Sequence, residues 1–124
     1  MLPSLRRNVA ANPSLAPLVR VAPCDWTSPA DAAALGPPAG LVIAADCVWL
    51  EELVAPLVGA LEAVTAPAGR VLLAYQSRSA RVDAALWAAL GRRFGAEPAA
   101  AAAAGEPPRG AQQLFWLRRR EGAA

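Results

Sequence analysis

Apolar residues along this chain follow two rhythms, and the alternation between them sets the expected fold. Leu41-Val42-Ile43-Ala44-Ala45 is a continuous apolar run that closes on Asp46. An unbroken run of this kind is what a central parallel strand, covered on both faces, requires. From Glu51 to Val64 the rhythm changes. Leu53, Leu57 and Leu61 recur at i+4 beside Val54 and Val58, which is the stripe of an amphipathic helix. Glu51 and Glu52 fall in its first turn, where carboxylates complement the helix dipole, and Pro56 is near enough to the start to be tolerated. Pro67-Ala68-Gly69 turns the chain into a second buried strand, Arg70-Val71-Leu72-Leu73-Ala74-Tyr75. A second helix is expected from Arg81 to Phe94, with Val82, Leu86, Leu90 and Phe94 at the same i+4 spacing.

The flanks are less regular. Pro3 to Asn12 reads as the end of a helix with Leu5 and Val9 on one face. It stops at Asn12-Pro13, because a residue before proline avoids the helical region. A short strand is expected around Leu18 to Cys24, reaching Asp25-Trp26. Residues 27–40, rich in Pro, Gly, Ala and Ser, read as a loop with at most one helical turn at Ala30 to Leu35. Ala99 to Ala104 fits a strand, a frayed helix or a loop equally well. Pro107-Pro108-Arg109-Gly110 is a turn, Leu114 to Leu117 a last strand, and Arg118-Arg119-Arg120 a solvated tail. Alternating strands and helices imply an α/β domain with a mostly parallel sheet, and the closing pair of strands suits an antiparallel hairpin at its edge.

Composition narrows the chemistry. The 124 residues fit one modest domain, and 56% apolar content is enough to fold it. Every basic residue is Arg, and there is no His. Imidazole is the commonest general base and metal ligand, so His-based hydrolysis and His-bound zinc are excluded within this chain. Cys24 and Cys47 make neither a CxxC pair nor a secreted disulfide framework. Two isolated thiols suit a reducing compartment, so a cytoplasmic or nuclear location is expected. No apolar run approaches the roughly 18 residues of a membrane span, and no signal peptide opens the chain. A net charge of +2 is too small to argue for a nucleic-acid partner.

In open α/β sheets ligands bind beyond the carboxyl ends of the strands. Three segments put polar or aromatic residues there: Asp25-Trp26, Ala45-Asp46-Cys47-Val48-Trp49, and Gln76-Ser77-Arg78-Ser79. Each also has a purely structural reading. Asp46 fits a cap on the next helix, Trp26 and Trp49 fit core filling, and Arg78 and Ser79 fit a cap on the helix that follows them. No nucleophile–base pair, metal cluster or phosphate loop is present, and Gly69 precedes a strand rather than a helix.

The segments together narrow the reading. Ala44-Ala45-Asp46-Cys47-Val48-Trp49-Leu50-Glu51-Glu52 resembles the (G/A)-A-D-(V/C)-(I/V)-Y-x-x-E signature of the methyltransferase-like protein-lysine methyltransferases, a class I S-adenosylmethionine-dependent family. Leu5-Arg6-Arg7-Asn8-Val9-Ala10-Ala11-Asn12 looks like that family's L-x-x-N-V-x-x-N helix, between its second and third strands. Asp25-Trp26 resembles its tryptophan after the third strand, and Tyr75-Gln76-Ser77-Arg78-Ser79 the stretch after its fifth. The similarity runs from about Leu2 to Phe94, with a weaker match beyond.

The resemblance implies a Rossmann-like class I methyltransferase fold and S-adenosylmethionine as cofactor, with a protein carrying a target lysine as partner. It implies that Trp26 packs on the adenine side, that Asp25 accepts from the adenine amino group, and that Ala45 stays small where backbone meets cofactor. It sets Asp46 nearest the reacting centre and Trp49 where the family has Tyr. Trp keeps an aromatic face for a cation–π contact but lacks the phenolic oxygen. No metal is implied. Methyl transfer to a neutral amine rests on positioning and desolvation, so a missing His is no objection.

The same resemblance sets the glycine-rich turn after the family's first strand, and the acidic residue after its second, upstream of Met1. The expectation is therefore a partial methyltransferase domain over residues 1–124, truncated at its N-terminus, with one long sheet edge exposed. Weak cofactor binding and poor solubility are expected of the chain by itself. Three other readings compete: small-molecule N-methylation of the nicotinamide kind, a non-catalytic interaction module, and, on fold alone, a dinucleotide oxidoreductase.

Overall fold

The computed structural model describes residues 1–99 and 112–121. Helix α1, Leu2–Ala10, leads into a single 3-10 turn at Ala16–Leu18. Helix α2 is Pro29–Ala34, strand β1 Ala39–Ala45, and a second 3-10 turn, Glu51–Leu53, opens helix α3, Val54–Val64. Strand β2, Thr65–Gln76, precedes helix α4, Ala80–Arg93; strands β3, Phe94–Pro98, and β4, Gln112–Arg119, finish the sheet.

The four strands lie in the order β1-β2-β4-β3. Only β1 and β2 run parallel; β4 is antiparallel to both β2 and β3. The α/β class and the terminal antiparallel pair hold, but the sheet is mixed rather than mostly parallel. The segment expected to add a further parallel strand does not do so. Val19 is extended after the 3-10 turn, yet residues 19–25 join no sheet and Leu18 is 81% exposed. A strand exists only where a neighbour accepts its backbone hydrogen bonds, and no described strand lies beside this one. The Arg20 guanidinium, donating to the Leu35 carbonyl, ties it to the end of α2 instead.

The β1–β2 register explains why two apolar runs make one core. Val42 faces Val71, Ala44 faces Leu73, and across β4 Val71 faces Leu117 and Leu73 faces Phe115. These residues point at Leu57, Val58 and Leu61 of α3 and at Leu86 and Leu90 of α4, forming one buried cluster with Phe94 and Tyr75. Trp87 of α4 meets Phe115 edge-on at 4.7 Å between ring centres and Tyr75 at 6.0 Å. Such tilted pairs add about 0.5–1.5 kcal/mol beyond area burial.

Smaller expectations shift for physical reasons. Pro67-Ala68-Gly69 turns the chain within β2 rather than before it. Thr65 pairs with Ala39 and Arg70 with Leu41, so residues 66–69 bulge out of the ladder. A Cβ on Gly69 would stand 2.8 Å from the Ala39 carbonyl oxygen and 3.0 Å from that of Ala66, which only glycine avoids. Phe94 leaves the helical region at φ −132° and starts β3, so its i+4 spacing marks core burial and not another helical turn. The arginine tail is only partly solvated. Arg119 donates to the Thr65 carbonyl at 3.2 Å and Arg120 to that of Gly91 at 2.7 Å. The expectations for residues 100–104 and 107–110 lie outside the described residues. Among those described, no helix is long and apolar enough to cross a membrane.

Candidate functional site

The parallel pair β1–β2 ends at Ala45 and Ala74, which are register partners. Just beyond, the backbone of Asp46 takes φ 53°, a left-handed conformation shared by no other described non-glycine residue. Aspartate enters this region more readily than most residues. The Asp46 N–H points back to the Ala74 carbonyl at 3.4 Å, so the turn leaves the sheet at its last rung. The carboxylate therefore projects over the carboxyl end of the sheet. It does not cap α3, whose preceding 3-10 turn starts at Glu51 with Leu50, which makes no side-chain cap bond, at the N-cap.

Its partner comes from the neighbouring strand end. Arg78 Nη2 donates to Asp46 Oδ1 at 2.8 Å, with both side chains about half exposed, at 48% and 58%. Ser79, the next residue, caps α4 by accepting from the Val82 N–H at 3.4 Å. The two residues thus divide their expected roles: Ser79 caps, and Arg78 reaches across to the acid. At this exposure an ion pair contributes about 0–1 kcal/mol. The pair is therefore weak, and it sets one cationic side chain on the Asp46 carboxylate.

Trp26 and Trp49 meet at 6.4 Å between ring centres with planes tilted by 59°. Trp26 is half-buried against the core, whereas Trp49 is half exposed three residues after Asp46. The core-filling reading thus holds for Trp26, whereas Trp49 lies outside the core cluster. Ala45 is exposed, and its carbonyl accepts from the Cys47 thiol at 3.4 Å. Burial is the main cause raising the Cys47 thiol above its ordinary value, the neighbouring Asp46 charge adds to it, and the bond to Ala45 opposes it. Cys47 is thus held as a thiol.

Asp25 is exposed and locally committed. Its Oδ1 accepts from the Thr27 hydroxyl at 2.7 Å and from the Thr27 N–H at 2.9 Å, and these two bonds hold its carboxyl below the usual range. Its own N–H donates to Asp31 Oδ2 at 2.8 Å. Asp25 thus belongs to the turn that launches α2, whose Ser28 cap accepts from the Asp31 N–H. Its Oδ1 is thus engaged within that turn.

Two features went unread in the sequence. The Asp46–Arg78 pair has a signal in hindsight: an acid and an arginine follow the ends of adjacent parallel strands. The second is Asp83, in the first turn of α4, which accepts from both the Tyr75 and Ser77 hydroxyls. Burial, then the Asp83 hydrogen bond and charge, push the Tyr75 phenol well above its ordinary value. The cluster pins the segment that delivers Arg78, and nothing in residue spacing announces it.

No curated protein matches the chain in direct sequence comparison. The family model described as lysine methyltransferase matches residues 1–87. That stretch takes in Asp25, Trp26, Ala45, Asp46, Trp49 and Arg78 alike, and it spans more than two thirds of the 124 residues: the chain belongs to the lysine methyltransferase family.

Proposed function

We propose that the chain carries the substrate side of a protein-lysine N-methyltransferase site that uses S-adenosylmethionine. One observation carries the reading: Asp46 stands beyond the parallel strand ends in a left-handed turn and already binds a cationic side chain, that of Arg78, at 2.8 Å. A lysine ammonium has the same charge and fits the same oxygen once Arg78 swings aside. The aromatic face of Trp49 offers that cation a second, apolar contact.

S-adenosylmethionine supplies an electrophilic methyl group on a sulfonium. The residues present fit a cationic group of this kind: an accessible carboxylate three residues before one of a tilted pair of indoles. In this reading the Trp26–Trp49 pair forms the apolar wall against which the cofactor's ring end rests, and Ala45 leaves its backbone approachable. Asp46 accepts a hydrogen bond from the incoming amine and orients it. Trp49 keeps water from one side, which favours the neutral amine, while the Asp46 charge pulls toward the ammonium until the proton is lost. The proton passes to solvent, which reaches the half-exposed carboxylate. Rate then comes from positioning rather than from a nucleophile on the protein. The two free cysteines suit a cytoplasmic or nuclear setting.

The test uses the protein as its source cell makes it. Purified with methyl-labelled cofactor and its own cell extract, it is expected to label protein on lysine, and Asp46→Asn to cut that labelling by at least about tenfold, a common cost of losing one charged contact. Label appearing only in small molecules would favour the nicotinamide-like alternative. No labelling, together with no cofactor binding, would favour the non-catalytic module.

A further inference from the structure

Asp46 and Arg78 meet across two loops that are held in different ways. Arg78 is stapled to the first turn of α4 on both sides. Before it, the Tyr75 hydroxyl donates to Asp83 Oδ1 and the Ser77 hydroxyl to Asp83 Oδ2. After it, the Ser79 hydroxyl accepts from the Val82 N–H at 3.4 Å, and the Ser79 carbonyl accepts from the Asp83 N–H at 2.9 Å. Tyr75 is itself part of the core and stands edge-on to Trp87. The backbone of Arg78 is therefore fixed in the frame of α4, and only its side chain is left to move. Exposed side chains of this kind change rotamer within nanoseconds.

The acid has one oxygen taken and one open. Arg78 engages Asp46 Oδ1 at 2.8 Å, and among the described residues nothing donates to Oδ2. Arg81, three residues further on, pairs with a different acid, Glu51, at 2.6 Å. Two arginines thus reach the chain that follows β1, but only Arg78 lies on the carboxylate held over the strand ends. A half-exposed pair is weak, and with Oδ2 open a second cation has a place to land before the first leaves.

We propose that Arg78 is a gate on the Asp46 carboxylate, kept in register by Asp83, which admits a cationic amine by exchange and resists neutral ligands. The inference rests on the reading of Asp46 as the seat of the substrate amine. An arriving ammonium replaces a guanidinium, so the carboxylate is never left without a counter-ion, and the displaced Arg78 head returns to water. A neutral ring or amide would have to break a charge-assisted bond and offer a weaker one in its place. Asp83 is a positioning residue here. Its bonds go to Tyr75 and Ser77, and by fixing the segment it keeps the guanidinium at a high local concentration against Asp46.

The probe is the pentapeptide acetyl-Ala-Ala-Lys-Ala-Ala-amide, with an acetyl-lysine twin as the neutral control. Binding to the 124-residue chain is followed by heteronuclear NMR at the Asp46 amide. Arg78→Met removes the guanidinium and keeps an apolar chain. It should tighten binding of the lysine peptide by about two- to fivefold, the range over which a half-exposed pair competes, and leave the twin unmoved. Arg81→Met makes the same change of net charge away from Asp46 and should move neither peptide. Added salt should alter the parent's affinity little, because one ion pair replaces another, but should weaken that of Arg78→Met. Asp83→Ala should tighten the parent by less than Arg78→Met does. On an Arg78→Met background it should add nothing, since a residue acting through Arg78 then has nothing to act on. If Asp83→Ala does not fold, Ser77→Ala removes one exposed hydroxyl and makes the same comparison. Three results would overturn the proposal: no binding of the lysine peptide to parent or Arg78→Met, equal affinity in the two, or an equal gain from Arg81→Met. Methyl transfer to lysine alongside any of these would leave the methyltransferase reading standing without the gate. Tightening by Arg78→Met in a chain that transfers no methyl group would leave the gate standing without that reading.

Discussion

Asp46 combines an unfavourable backbone with an exposed ion pair, and the two contributions separate by substitution. A left-handed conformation costs an ordinary residue about 1–2 kcal/mol, while Asn and Asp tolerate it by local hydrogen bonding. The Arg78 pair, half exposed on both sides, contributes about 0–1 kcal/mol. Asp46→Asn keeps the backbone preference and removes only the charge, so it should cost less than about 1 kcal/mol. Asp46→Ala removes both and should cost about 1–3 kcal/mol. Asp46→Gly loses the pair but relieves the strain, so it should fall within about 1 kcal/mol of the parent. Urea unfolding followed by far-ultraviolet circular dichroism gives all three, provided the m-values match. The reasoning fails if Ala is no worse than Asn, or if Gly is the worst of the three. The expected order would mean that the turn spends fold stability to hold a carboxylate over the strand ends, as functional sites do.

Two further outcomes follow from buried features. Gly69→Ala should destabilise by about 1–3 kcal/mol, because the new methyl meets the backbone carbonyls of Ala39, Ala66 and Gly40, and backbone must shift to admit it; a urea midpoint unchanged from the parent would contradict the bulge. Tyr75 is the sole tyrosine, so phenolate absorbance near 295 nm reports it alone. Its folded-state value is raised, so the stability it contributes is fully present below about pH 10, the ordinary phenol value, and is lost as pH rises from there through the folded value. Ionisation should therefore appear above pH 10 and Tyr75→Phe should flatten the alkaline loss of stability. A midpoint at or below 10 with the fold intact would refute the burial argument.

The parts of the fold legible in sequence were those whose burial is local in origin. The runs 41–45 and 70–75 and the stripes of α3 and α4 each carry their own periodicity; β1, α3 and α4 formed close to the expected bounds, while β2 begins at Thr65 and takes in the expected turn. The segment at 18–24 has a strand's composition, but composition supplies no neighbour, and it stayed outside the sheet. Strand β3 was hidden for the opposite reason. Gly95 and Pro98 argue against a strand on propensity, yet an edge position tolerates both. The mixed sheet follows from β4 entering between β2 and β3, a long-range choice that periodicity does not record. At the site, Asp46 and Trp49 stood out through their signature, whereas Arg78 became meaningful only once two strand ends lay side by side.

The two margins of the sheet differ in a way that governs how copies can join. On β3, the Ala99 N–H turns inward to the Leu114 carbonyl, so at Pro98, one residue earlier, the outward position has no hydrogen to give. On β1 no proline interrupts Ala39–Ala45. Among the described residues, a further strand therefore meets fewer obstacles at β1 than at the Pro98 end of β3. A pairing of copies through β1 alone would be two-fold and would close at two chains. Joining β1 of one copy to β3 of the next, the head-to-tail route by which fibres lengthen, would have Pro98 in its way.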